Sequence, residues 1–144
     1  MAHKDEGNYK SKHPADVKLN EKIVGEVKKK AIDEKITCAD AENIAGALSV
    51  TIQEVGVNID LMEIRISKCQ LGLFGYSEGK IVVKPAATVS GELESAIRNA
   101  LISGRLPCAA AWNIAETFGI PRMDVSSACE ALKIKVKPCQ LGAF

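Results

Sequence analysis

The sequence has no apolar run approaching the ~20 residues that a membrane-spanning helix needs, although 47% of its residues are hydrophobic. Residues 1–18 are polar and carry no apolar segment of the kind found in signal peptides. We therefore expect a cytoplasmic protein that makes no membrane contact. The net charge is only +1, so the chain also lacks the basic excess typical of nucleic acid-binding proteins. Any affinity for a polyanion must come from local patches.

Histidine is nearly absent, because the chain has only His3 and His13, both near its N-terminus. A Ser/His/Asp or Cys/His catalytic constellation in the body of the protein is thereby excluded. The glycine-rich stretch before Lys80 also fails as a phosphate-binding loop. Phe74 stands where that motif needs its first glycine, and Ile81 stands where it needs Ser or Thr. We predict a protein that is not an enzyme and carries no cofactor.

What the sequence does contain is a tandem duplication. The stretch Cys69–Phe74 returns as Cys139–Phe144, and residues 20–74 overlay residues 90–144 without a gap, at a constant offset of 70 positions. A copy of about 55 residues is marginal for independent folding, so we expect the copies to pack on each other or on a partner. We predict a flexible arm over 1–19, a first domain over 20–84, a linker over 85–89 and a second domain over 90–144.

Each copy has the pattern of three helices. Asn20 and Ser90 are helix N-cap residue types, and each precedes apolar residues spaced four apart, which predicts amphipathic first helices ending near Glu34 and Gly104. Short β-favouring stubs, 36–37 and 106–107, come next. Second helices should follow and stop at Ser49 and Gly119, and a glycine at this point can take the left-handed conformation of a sharp turn. Third helices should run to about Met62 and Leu132.

The period then changes to the alternation of a half-buried strand, at 64–69 and 134–137. Only the first copy continues into a turn signal, 75–79, and a second predicted strand, 80–84. The loop over 70–79 is either a wing or a set of apolar residues that caps the core or joins the copies. Its repetition at 139–144, where no further strand follows, favours the capping interpretation.

This order of helix, short strand, helix, tight turn, helix and strand resembles the winged helix-turn-helix family. The small residues Ala45 and Ala115, each four before the turn, and Val55 and Val125 behind them carry the resemblance. It implies a mainly α protein with small β-sheets, arranged as two tandem trihelical winged-helix-like domains. The function it implies is DNA binding, most simply in transcriptional regulation.

In that family the third helix enters the major groove, and basic residues nearby hold phosphates. The second copy offers the better reader, because Arg122 has the geometry to pair with a guanine edge. Mapped onto this chain, the expected nucleic acid contacts are Thr51, Gln53, Lys28, Lys29, Arg122, Ser126 and Ser127. The alternative is a protein-interaction module on the same fold, with a protein partner or a second copy bound through Ile52, Val57 and Trp112.

The five cysteines favour reduced thiols over a disulfide framework. Four of them recur in both copies: Cys38, Cys69, Cys108 and Cys139. The first of each pair should open the second helix, and the second should end the strand beside it, so a metal or thiol-redox sensor is one interpretation. No Cys-x-x-Cys spacing is present, which favours the other interpretation, that these are small buried residues copied by the duplication.

Overall fold

The structure, a computed structural model, describes residues 9–14, 17–76 and 83–143. Within these ranges the chain is mainly helical with a small parallel sheet, as the sequence predicts. A 3-10 helix covers Tyr9–Lys12. The other elements are α1 (Glu21–Lys30), β1 (Lys35–Thr37), α2 (Cys38–Leu48), α3 (Ile52–Leu61), β2 (Arg65–Ser67), α4 (Gly91–Asn99), α5 (Cys108–Phe118) and α6 (Arg122–Leu132).

The chain divides into two compact units whose limits differ from those of the repeats. The first unit contains the described residues up to Cys69 together with those from Leu141 onwards, and the second contains those between Gln70 and Gln140. The motif that ends each repeat is therefore grouped with the unit built from the other repeat.

In the first unit, α1, α2 and α3 pack on one another. Each begins at a polar cap: the side chains of Asn20, Thr37 and Thr51 accept hydrogen bonds from backbone N–H groups of the first turn. Such caps stabilise a helix start by about 1 kcal/mol each. The helices bury one apolar face apiece, contributed chiefly by Ile23, Val27, Ile44, Val55 and Ile59.

The first helix of each unit ends earlier than the sequence predicts. They stop at Lys30 and Asn99, because tight hairpins follow, in which an antiparallel bridge joins residues 32 and 35 in one unit and residues 102 and 105 in the other. The two residues at each hairpin tip have positive φ, for example 53° and 61° at Asp33 and Glu34. A helix cannot continue through such a turn.

The predicted stub and strand of the first copy are confirmed as β1 and β2, which pair in parallel with Ile36 opposite Ile66. Both of these side chains are buried on the helical side of the sheet. Most of the predicted wing strand, 80–84, lies outside the described residues. The winged arrangement therefore remains a prediction.

The second unit repeats the pattern with α4, α5 and α6. Ser90 caps α4 as predicted, with its Oγ 3.1 Å from the Leu93 amide. Prolines stand at the caps of α5 and α6, and neither helix has a side-chain cap bond. The sheet is reduced to a parallel bridge between Leu106 and Val136.

Candidate binding surfaces on the third helices

A tight turn separates α2 from α3. Ser49 takes the left-handed conformation with φ 55°, as its equivalent Gly119 does with φ 64°. Thr51 then caps α3, and its Oγ1 lies 3.1 Å from the Glu54 amide nitrogen that donates to it. The hydroxyl of Thr51, a predicted DNA contact, is thus engaged in starting the helix. Gln53, one residue into the helix, is exposed.

The middle of the outer face of α3 is covered by other parts of the first unit. Gly56 is buried, and Asp60, one turn further on, is only 4% exposed. Ile52 and Val57, the predicted protein contacts, are half-buried. In a helix-turn-helix protein, the positions of these four residues would face outward.

The C-terminal segment provides part of the cover. A Cβ added to Gly56 would lie 2.8 Å from the Cα and carbonyl carbon of Leu141, and closer still to its carbonyl oxygen. The side chain of Leu141 is 2% exposed. Only glycine permits the backbone to approach α3 this closely.

The N-terminal arm covers another part of the outer face of α3. The 3-10 helix packs on α3, and Tyr9 is buried, with its amide donating to Glu63 Oε2 at 2.9 Å. Asp60 Oδ2 lies 3.1 Å from Lys12 Nζ and 2.8 Å from His13 Nε2. Lys12 Nζ also donates to the carbonyl oxygen of Gly142 at 3.0 Å. One buried carboxylate thus connects α3 to the arm, and Lys12 connects the arm to the C-terminal segment.

The surroundings of Asp60 disfavour the charged form of its carboxyl group. Burial removes water from the carboxylate and raises its pKa above the ordinary 3.8, and the hydrogen bonds and positive charges of His13 and Lys12 offset only part of this effect. The sequence carries a weak signal for this cluster, since it places both of the cations in the arm and an unpaired carboxylate on an outward helical position.

In the second unit, Arg122 is held by its neighbours. Its guanidinium carbon lies 3.7 Å from the centroid of the Trp112 ring, a cation–π contact. Its Nη1 donates to Gln70 Oε1 at 2.8 Å. The structure brings together two residues that the sequence singled out for different reasons, Arg122 as a base reader and Trp112 as a protein contact. Gln70 was missed, because nothing local in the sequence signals a bond across 52 positions.

The other predicted contacts on α6 are also partly covered. Ser126, equivalent to Gly56, is 1% exposed, and its hydroxyl has no hydrogen-bond partner in the part of the chain that the structure describes. Ser127 is half-buried, and its carbonyl oxygen accepts from the amide of Ala86 at 2.9 Å. The small residues at the equivalent positions 56 and 126 are the sequence feature that could have indicated that another segment lies close to these helices.

The lysines predicted to hold phosphate lie at the end of α1 and are exposed. Lys29 pairs with Glu26 on the same helix at 3.2 Å. Such an exposed pair contributes little to stability. Lys28 and Lys29 are therefore available to a partner, although they belong to α1 and not to the covered face of α3.

The cysteines are thiols, and all are buried except Cys139, which is half-buried. Among the residues that the structure describes, no group of three or more His, Cys, Asp or Glu side chains is placed to hold a metal ion. Gln140 Nε2 lies 3.6 Å from the Cys108 sulfur. Cys129, whose place in the first copy is taken by Ile59, is 1% exposed, and burial, aided by the charge of Glu130, raises the pKa of its thiol to about 11.

Comparison with protein-family models, with curated proteins and with solved structures gives no match for this chain. In the described ranges, none of the helices has the length and apolar character required to cross a lipid bilayer.

Replacing Gly56 by Ala should lower the free energy of unfolding by about 1–3 kcal/mol, because the new Cβ overlaps the Leu141 backbone. Gly46→Ala is the matched control: it also lies in a helix, its Cβ would meet nothing within 4 Å, and it should gain about 0.5–1 kcal/mol. Urea denaturation measures both. A Gly56→Ala protein as stable as the wild type would show that the C-terminal segment does not lie on α3.

Asp60→Asn should change how stability depends on pH. With its folded pKa raised above 3.8, Asp60 makes the native state bind more protons than the unfolded state between these two pKa values. The wild type should therefore lose stability relative to Asp60→Asn as pH rises through that window. Denaturation of both proteins from about pH 3.5 to 7 tests this. If the wild type instead gains stability relative to Asp60→Asn as pH rises, the contacts with His13 and Lys12 affect the pKa of Asp60 more than burial does.

Cys129 should resist thiol reagents. A pKa of about 11, against the ordinary 9.0 of a cysteine, reduces the thiolate fraction at neutral pH about a hundredfold, and burial restricts access further. We expect mass spectrometry after alkylation to find the peptide containing half-buried Cys139 labelled well before that of Cys129. Adding urea should remove the difference. Equal labelling in the native protein would contradict the burial of Cys129.

Proposed function

We propose that this protein is a non-enzymatic interaction module, made of two tandem trihelical units whose third helices bind protein segments in place of DNA. The observation that carries the proposal is the approach of the Leu141 backbone to Gly56 on the outer face of α3. A segment lying there occupies the surface that a helix-turn-helix protein turns towards bases.

The dimensions of DNA support this interpretation. The major groove is about 12 Å wide and admits one helix or a two-stranded ribbon. A third helix enters it with its outer face leading. With Leu141 and the 3-10 helix on that face, α3 presents a layer of protein to any approaching duplex. Displacing this layer would expose Asp60, whose charge repels phosphate.

The second unit gives independent support. Arg122, the residue best suited to read a base, donates to Gln70 and stacks on Trp112. A bidentate contact with guanine through Nη1 would compete with the bond to Gln70. The stacked pair instead resembles the Trp and Arg anchors that dominate many protein interfaces.

A DNA-binding regulator with a winged-helix arrangement, the function implied by the sequence resemblance, is the second candidate. What favours it is the exposure of Gln53 at the beginning of α3, where helix-turn-helix proteins touch bases. Lys28 and Lys29 are exposed on α1 in the same unit and have the charge needed to hold phosphates. A metal- or thiol-dependent sensor has less support, since three of the four repeated cysteines are buried.

Titration of labelled random duplex DNA separates the two candidates. An interaction module should bind it weakly even at about 50 mM salt, and the Arg122→Ala and Gln53→Ala variants should bind like the wild type. A DNA-binding regulator should bind tightly, lose affinity steeply by about 200 mM salt, and show lower affinity in Lys28→Ala. Specific binding that falls by about 1–3 kcal/mol in Arg122→Ala would overturn our proposal.

A further inference from the structure

Both repeats expose an isoleucine at the same position. Ile32 is 74% and Ile102 is 67% exposed, the two largest exposures among the bulky apolar side chains of the described chain. Each stands at the start of the hairpin that follows the first helix of its unit, and each is joined by an antiparallel bridge to a basic residue, Lys35 or Arg105. Single exposed apolar residues are common on proteins, and here the duplication places the same exposed residue in both units.

The strands align further basic side chains with these pairs. In the first unit, Lys35 is in parallel register with Arg65. In the second, the bridge between Leu106 and Val136 puts Arg105 beside Lys135. Residues opposite each other on neighbouring strands point to the same side of a sheet. Each unit therefore carries what we call a cationic row, an isoleucine followed by two basic residues on successive strands: Ile32, Lys35 and Arg65 in the first unit, and Ile102, Arg105 and Lys135 in the second.

Five of the six residues of the cationic rows are exposed, and Arg65 is half-buried. The intervening residues Ile36 and Leu106, on the opposite side, are 1% and 0% exposed and belong to the core. Arg105 and Lys135 are both exposed, and so is Lys137, one position beyond the row in the same direction. Within the described ranges, Arg105 and Lys135 form no ion pair with an acidic side chain.

This arrangement costs stability. Like charges opposite each other on adjacent strands repel, and an exposed isoleucine contributes almost no burial. An opposite charge at either position of the pair would favour the sheet. In the second unit, the adjacent charges of Arg105 and Lys135 therefore do not favour the folded state.

We propose that the cationic row is a docking surface for an acidic segment of a partner protein, one that carries an aliphatic side chain among its carboxylates. Carboxylates of the segment pair with Arg105 and Lys135, and its aliphatic side chain packs on Ile102. The row crosses three strands and spans about 10 Å, which matches about three residues of an extended peptide.

Charge alone would also suit a nucleic acid. The isoleucine at the end of the row favours a protein, because phosphate and sugar offer it no apolar surface, whereas an aliphatic side chain excludes water from both partners. The second unit has the more basic row, since its hairpin tip is Ser103 and Gly104, whereas the first has Asp33 and Glu34. We therefore expect the second row to bind more tightly.

This inference rests on the proposed function in that both require a protein partner, but it concerns a different surface. The sheets and hairpins carry the rows, and the third helices carry the segments discussed above. DNA binding through Arg122 would overturn the proposed function and leave the docking proposal intact. Row variants that bind the peptide like the wild type would overturn the docking proposal and leave the proposed function of the third helices intact.

The test uses the full chain and a fluorescein-labelled peptide of about ten residues that contains glutamates, aspartates and three leucines. Binding is followed by fluorescence anisotropy. The variants are Arg105→Glu, Lys135→Glu and Ile102→Ser, all at exposed positions, with Lys22→Glu on the exposed face of α1 as a control of equal charge change. A second peptide replaces the leucines by serine, so that the apolar contact is tested without changing the protein.

We expect each charge reversal in the row to weaken peptide binding about tenfold or more, while Lys22→Glu has less effect than either. Ile102→Ser and the serine peptide should each lose affinity as well. Circular dichroism confirms that the variants are folded. The proposal is overturned if the wild type does not bind the peptide, if the row variants bind like the Lys22→Glu control, or if duplex DNA binds the row more tightly than the peptide does.

Discussion

The contact between the Leu141 backbone and Gly56 is the constraint around which the first unit is organised. Three helices of about ten residues leave an outer face that must be solvated or covered, and small domains have little core to spare. Gly56 allows the C-terminal backbone to lie against this face. One turn further along α3, Lys12 of the arm contacts both Asp60 and the carbonyl oxygen of Gly142. The buried carboxylate is tolerated because Lys12 and His13 both meet it.

The repeated motif that ends each copy supplies a buried leucine to each unit. Leu71 is fully buried in the second unit, as Leu141 is in the first, although each belongs to the repeat that mainly builds the other unit. The repeated motif therefore has the same task twice, which is to complete a small core. The rows that contain Ile32 and Ile102 are also repeated, but these two isoleucines are exposed and stand outside the core. One repeated element thus serves folding, and we propose that the other binds a partner.

The sequence predicted what local patterns can encode. The caps at Asn20 and Ser90, the left-handed turn at Gly119 and the pairing of the stub with the strand of the first copy are present as expected. The first helices end early because the positive φ values of residues 33 and 34 reflect a hairpin that helical periodicity does not reveal. The cover on α3 was not predicted, since a helical period separates two faces but does not say that distant segments bury both of them.

Hydrogen exchange tests the central claim most directly, that a segment of the same chain occupies the outer face of α3. Two proteins are compared, the full chain and one that ends at Gln140. Our account predicts that the amides of α3 exchange about tenfold faster or more in the shorter protein, because local opening becomes easier once the cover is lost. The amides of α5, in the second unit, should not change. Equal exchange of α3 in both proteins would contradict the account.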